Sequence, residues 1–224
     1  KVDYGVLPIE NSTAGSVSDI YDLMIRYPNY IVGEQILKIE HTLMAVPGAS
    51  LEDIRTVYSH PQGLAQCRNY LEQHPGWKQE EVLNTAMAAE KVAKEGDRTQ
   101  AAIASRYAAE HFGLNILAEG CLSGESNSTR FIIISNQKCF DRNAGKISIC
   151  IELPHESGSL YNILAHFIYN DLNMTKIESR PIPEQNWEYR FFIDFEGNLS
   201  SPAVKNALRG IASEASSLRL LGNY

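Results

Sequence analysis

Positive charge is in short supply in this chain: 20 Lys and Arg stand against 27 Asp and Glu, for a net charge of −7 and a pI near 5.4. Phosphate backbones are gripped by clustered Lys and Arg, and no such run occurs, so a nucleic-acid partner is excluded and any anionic ligand must be held by local groups. Long apolar runs are missing too. A membrane span needs about 20 apolar residues, and the first residues show no basic stretch leading into an apolar one, so the expected protein is soluble with no membrane partner. Cysteine is sparse: Cys67, Cys121, Cys139 and Cys150 are too far apart for a metal-type pair. That pattern fits reduced thiols in a cytoplasmic protein, and it assigns them no chemistry. Internal repeats and low-complexity segments are likewise absent.

What remains is ordinary globular composition, 44% hydrophobic and 21% charged over 224 residues, enough for one large domain or, as expected here, two modest ones. The chain enters at once into Tyr4-Gly5-Val6-Leu7-Pro8-Ile9, a buried-strand pattern without a Met, cap or turn before it, and so reads as starting inside a domain. Glu10 to Ser16 is a polar, small-residue loop suited to a hinge, and Ser18, Ile20, Leu23 and Met24 follow as a short amphipathic helix. Ile31 to Val46 is β-branched, and strand Thr56-Val57-Tyr58 runs into Ser59-His60-Pro61-Gln62. From Pro61 the spacing of Leu64, Cys67 and Leu71 is helical, with Ser59 or His60 as cap and Pro61 in the first turn. A strand feeding a helix N-terminus is an anion site, because first-turn N–H groups are unsatisfied and the helix dipole is positive there. The same arrangement recurs at Asn84-Thr85-Ala86, ahead of an Ala-rich helix.

Strand Gln100–Ile103, a helix from Ser105 to Phe112 closed by Gly113, and Ile116 to Leu122 continue the alternation, which predicts α/β with a mainly parallel sheet. Asn127-Ser128-Thr129-Arg130-Phe131 then leads into the apolar run Ile132-Ile133-Ile134, read as a strand buried on both faces with polar residues at its edge. Residues 141–146 have linker composition and predict a domain boundary. Beyond them Ile147, Ile149, Ile151 and Leu153 alternate with polar residues as in a half-buried strand, and the pattern that follows is β-α-β-β-α-β, a ferredoxin-like order.

Four peptides in sequence order, Leu7-Pro8-Ile9-Glu10-Asn11-Ser12, Ser59-His60-Pro61-Gln62, Thr129-Arg130-Phe131 and Glu178-Ser179-Arg180-Pro181, resemble those of prephenate dehydratase over essentially the whole chain. The resemblance implies a catalytic domain over 1–140, two α/β lobes similar to periplasmic binding proteins with a middle lobe at about 12–115, and a regulatory ACT domain over 146–224. It places the lobe crossings near Glu10 to Ser12 and Glu119 to Asn127, flanking one cleft. Family members open with a further strand-helix segment carrying a Gly-rich turn, and some carry a chorismate mutase domain. The first is absent from this sequence, and a start inside a domain leaves the second open. The implied reaction converts prephenate to phenylpyruvate with loss of carbon dioxide and water, needs no metal or organic cofactor, and is feedback-inhibited by L-phenylalanine. A homodimer or homotetramer assembled through the ACT domain is also implied.

By resemblance Thr129 hydrogen-bonds the leaving oxygen; the plain alternative is a hydroxyl turn that starts a strand. Arg130 either takes a substrate carboxylate in bidentate fashion or pairs with Glu10 or Glu125. His60 is a proton donor or a helix cap; Ser59, Gln62, Thr85 and Ala86 are carboxylate ligands beside free helix N–H groups. Asn11 and Ser12 sit on the hinge as substrate ligands or as partners for backbone groups, and Phe131 is core packing or a substrate contact. For phenylalanine the resemblance implies Gly158, Ser159 and Leu160, with Ser159 where the family commonly has Ala, together with Asn173, Glu178, Ser179, Arg180 and Pro181. Glu178 and Arg180 share a strand face and can instead pair with each other; Asn173 can be a turn residue. The competing reading is a non-catalytic module that binds an amino acid or small anion and assembles through the ACT unit.

Overall fold

The computed structural model describes residues 2–121, 127–139, 141–183 and 187–224. In chain order the elements begin with β1 (Tyr4–Asn11), β2 (Gly15–Ser16), α1 (Ser18–Arg26), β3 (Tyr30–Lys38), β4 (Thr42–Ala45) and β5 (Thr56–Ser59). They continue with α2 (Pro61–Gln66), α3 (Arg68–Leu71), β6 (Lys78–Glu81), α4 (Thr85–Glu95), β7 (Gln100–Ala104), α5 (Arg106–Phe112) and β8 (Asn115–Ala118). The last are β9 (Ser128–Ser135), β10 (Lys146–Glu152), α6 (Ser159–Tyr169), β11 (Met174–Pro181), β12 (Tyr189–Glu196), α7 (Pro202–Glu214) and β13 (Ser217–Asn223).

The chain forms two compact units, Lys38–Ser128 and a discontinuous one of Lys1–Leu37 with Thr129–Tyr224. Residues 12–37, expected in a middle lobe, therefore stay with the first unit, because β3 is hydrogen-bonded into the same sheet as β9 and β1. Nor is the turn over 141–145 a boundary between compact units: β9 and β10, on its two sides, lie in one sheet.

Unit Lys38–Ser128 holds a five-stranded sheet in the order β6-β5-β7-β4-β8. The strands β6, β5 and β7 are parallel, as helical crossovers require, but β4 runs antiparallel to both β7 and β8, so the sheet is mixed and not mainly parallel. Alternation in β4 sends Leu43 and Ala45 into a core with Leu64, Cys67 and Leu71, and Met44 into a second core under α4 and α5. The helix expected from Pro61 onward is broken at Cys67 into α2 and α3. Gly113 ends α5 in the left-handed conformation that glycine adopts without strain (φ 67°).

The other unit holds an eight-stranded sheet in the order β11-β12-β10-β13-β3-β9-β1-β2. Its β10–β13 half is antiparallel throughout, with the strand order and two crossover helices of a β-α-β-β-α-β fold. One face packs Ile147, Ile149, Ile151, Ile193 and Phe195 against α6 and α7. The opposite face was expected to be solvated, yet Ser148 and Cys150 are buried, since Cys150, Phe192 and Leu221 pack with Tyr21 and Met24 of α1. Burial pushes the Cys150 thiol up to about 12, which keeps it protonated and inert.

Two strands depart from expectation. β9 pairs antiparallel with β1, and Ile132 is fully buried while Ile133 and Ile134 are half-buried. β1 is not a buried strand: Tyr4 and Val6 are 66% and 62% exposed, since β2, its neighbour on the side away from β9, meets it at Glu10 and Asn11 alone.

Candidate active site

The register of β1 against β9 puts Asn11 opposite Thr129 and Glu10 opposite Arg130. Asn11 closes an Asx turn at the β1–β2 hairpin: its Oδ1 accepts from the backbone N–H of Thr13 (3.0 Å) and Ala14 (2.9 Å). That fixes which end of the amide is oxygen, and Nδ2 donates to Thr129 Oγ1 at 3.0 Å. With a lone pair of Oγ1 engaged by a donor, the Thr129 O–H is left to act as a donor itself, and charge developing on the oxygen is stabilised by the amide. Ser12 lies exposed in the hairpin turn, and Phe131 sits half-buried opposite Pro8.

Arg130 has the ion pair with Glu10, one of its two expected roles, and more besides. Its guanidinium meets Asp194 at 2.8 Å, Glu34 at 3.2 Å and Glu10 at 3.4 Å, so three carboxylates of its own unit surround it. Glu125, the other carboxylate considered for it, lies outside the described residues. Burial works against the Arg130 charge, but the Asp194 charge and hydrogen bond, with Tyr224 and Glu34, more than offset it and hold the guanidinium above its ordinary range. Asp194 also accepts from Ser148 Oγ at 2.6 Å, Lys146 pairs with Glu34, and Lys176 pairs with Glu10 at 2.7 Å. Arg130 is thus an anchor of the sheet beside Thr129.

In the unit Lys38–Ser128, the residues expected from Ser59 to Ala86 gather where β5 ends and α2 and α4 begin. Ser59 is fully buried, and its Oγ donates to the Ile103 carbonyl at 2.8 Å, so its side chain fastens strands. His60 is the cap of α2, its Nδ1 accepting from Gln62 N–H at 3.1 Å. Gly63 is required beside it, because a Cβ there would lie 2.6 Å from Ser59 Oγ and 3.4 Å from Thr85 Cγ2. Asn84 caps α4 by accepting from Met87 N–H at 2.8 Å. Gln62 and Ala86 are exposed and Thr85 half-buried at these helix starts.

Of the expected effector residues, Gly158 takes the left-handed conformation (φ 90°) at the cap of α6. Ser159 and Leu160 border a cavity of about 360 Å³ with Pro154, His155, Tyr189 and Phe191. Glu178 and Arg180 do not pair with each other; Glu178 accepts from Ser16 Oγ at 2.6 Å and Arg180 makes a two-pronged pair with Asp22. Ser179 and Pro181 stay in the ladder opposite Phe191 and Tyr189, and the Asn173 carbonyl accepts from Glu196 N–H.

Glu34, Asp194, Lys146 and Lys176 were not foreseen. A signal existed for one of them: Asp194 interrupts Phe191-Phe192-Ile193-Asp194-Phe195, and a charge inside an apolar strand needs a buried partner.

A mixed α/β protein of two compact units, carrying an amide-held threonine at a strand edge, is the class that fold and site define. Against known proteins, the prephenate dehydratase family model matches residues 1–139. A prephenate dehydratase of Methanocaldococcus jannaschii is 42% identical, covering 98% of this chain and 80% of the relative. The crystal structure of prephenate dehydratase in complex with L-Phe from Arthrobacter aurescens is 32% identical with a TM-score of 0.88, covering 100% of this chain and 75% of that one. A structure described as GqqA, a novel type of quorum quenching acylase, also superposes with a TM-score of 0.88 at 31% identity, covering 99% of this chain and 80% of that one. The chain belongs to the prephenate dehydratase family. It spans 61%, 58% and 56% of the length of three plant relatives that it also matches, whose names include arogenate dehydratase. Among the described residues no helix is long and apolar enough to cross a membrane.

Proposed function

We propose that the chain converts prephenate to phenylpyruvate, releasing carbon dioxide and water. The ring hydroxyl leaves as water as its C–O bond breaks; the bond to the ring carboxylate breaks as carbon dioxide departs, and its electron pair completes the aromatic ring. Aromatisation drives the reaction, so the protein's work is to position the substrate and to stabilise the departing oxygen.

The observation that carries this reading is the Asn11–Thr129 hydrogen bond, with the amide pinned by its own turn. Thr129 donates a hydrogen bond to the leaving oxygen, which takes a proton from solvent as it departs as water, and Asn11 stabilises the charge that builds on Oγ1. Arg130 positions the strand that carries Thr129.

Residues 1–140 serve as the catalytic domain and 146–224 as an ACT regulatory domain, through which the chain forms a homodimer or homotetramer in the cytoplasm. The β-α-β-β-α-β topology and the likeness to a structure described in complex with L-Phe support the regulatory domain. Phenylalanine binds against Gly158 to Leu160 and lowers prephenate turnover. The test is phenylpyruvate release from prephenate, with phenylalanine release from arogenate as a second assay because plant relatives bear its name. Release from prephenate that phenylalanine suppresses is expected; a protein that binds prephenate and never releases phenylpyruvate is a binding module instead.

A further inference from the structure

Alternate residues of β11, which share one face of the strand, all reach the segment that carries Asn11. Lys176 Nζ donates to Glu10 Oε1 at 2.7 Å and to Ser16 Oγ at 2.9 Å. Glu178 accepts from Ser16, and Arg180 grips Asp22 of α1. Of the three, Lys176 is the one in the path to Thr129. Its side chain is only 12% exposed, and Glu10 and Ser16 are cross-strand partners at the mouth of the β1–β2 hairpin. Lys176 therefore closes the hairpin whose turn pins the Asn11 amide. Glu10, held by Lys176 on one carboxylate oxygen, faces Arg130 with the other at 3.4 Å.

We infer that Lys176, which lies beyond the segment matched by the family model, is a positioning residue for Thr129. It acts through Glu10 and Ser16 on Asn11, and so makes the β-α-β-β-α-β half of the sheet contribute to the catalytic geometry. This rests on the dehydratase reading. A lysine that merely neutralised Glu10 would affect folding and leave the geometry of Asn11 alone.

The experiment compares Lys176→Met, Lys176→Arg, Glu10→Gln and the Lys176→Met/Glu10→Gln double variant. It measures kcat and KM with prephenate, and hydrogen exchange at the Thr13 and Ala14 amides. Lys176→Met is expected to lower kcat about tenfold, since small misplacements of reacting groups are costly, with KM within about twofold. Exchange at both amides quickens, Lys176→Arg restores most of the activity, and the double variant is no worse than the poorer single one, because the two residues act as a unit. Unchanged kcat and unchanged exchange in Lys176→Met overturn the inference, as do single losses that multiply in the double variant. Absence of turnover in the parent chain would defeat the dehydratase reading itself; exchange at the two amides would then decide the positioning of Asn11 alone.

Discussion

Cutting the Arg130–Asp194 pair from its two ends should have unequal effects. Both side chains are nearly buried, at 12% and 13% exposure, so neither regains much hydration when its partner is removed. In Arg130→Met, Asp194 keeps the Ser148 hydroxyl and loses its ion pair, while Glu34 and Glu10 still have Lys146 and Lys176. Stranding a buried charge costs about 3–5 kcal/mol. In Asp194→Asn the guanidinium retains Glu34 at 3.2 Å and Glu10 at 3.4 Å, so the loss should be about 1.5–3 kcal/mol, the scale of one charge-assisted hydrogen bond. For a chain of this size the first loss corresponds to a Tm lower by about 10 °C. Urea denaturation of both variants and of the double variant, read as midpoint at constant m, measures the difference. The double variant should be less damaged than Arg130→Met, because it strands no charge. An Arg130→Met loss below about 1 kcal/mol, or equal losses in the two single variants, would refute the placement of a buried ion cluster here.

Gly222 faces Ile31 where β13 meets β3, and a Cβ there would lie 2.2 Å from the Ile31 carbonyl oxygen, a backbone atom that cannot swing aside. Gly222→Ala should cost about 1–3 kcal/mol and raise hydrogen exchange in β3, measurable by urea titration and mass spectrometry. His41 is buried, and burial lowers its pKa even though the hydrogen bond that its Nε2–H donates to Gln66 Oε1 works the other way. The stability it contributes is complete above the ordinary histidine value of about 6.5 and is lost as pH falls from there through the depressed folded value. His41→Gln should therefore flatten the drop in urea midpoint between pH 7 and pH 5, and an unchanged slope would contradict the assignment.

Local signals were legible. Pro61 and His60 at a helix start, Gly113 at a helix end and the alternation of Ile147, Ile149 and Ile151 all lead to the elements observed. What the sequence hid was long-range pairing. Nothing in Thr42–Ala45 distinguishes a strand that runs antiparallel between β7 and β8 from one that joins a parallel sheet. Nor does the linker-like 141–146 reveal that strands on its two sides share a sheet. The burial of Ser148 and Cys150 depends on α1, more than a hundred residues earlier in the chain, covering the second face of β10. At the site, Asn11 and Thr129 were readable as polar residues at strand ends, but their hydrogen bond needed the register of β1 on β9. Arg130 was left between two roles in sequence because Glu34 and Asp194 lie 96 and 64 residues away from it.

The most direct test of the dehydratase assignment is the initial rate of phenylpyruvate formation from prephenate by the parent chain, Thr129→Ala and Thr129→Ser. The account predicts turnover in the parent, a loss of about a hundredfold or more in kcat for the alanine variant, and substantial activity in the serine variant, which keeps the donor hydroxyl. Equal rates in the parent and Thr129→Ala would contradict it, since the hydroxyl held by Asn11 would then have no role in the chemistry.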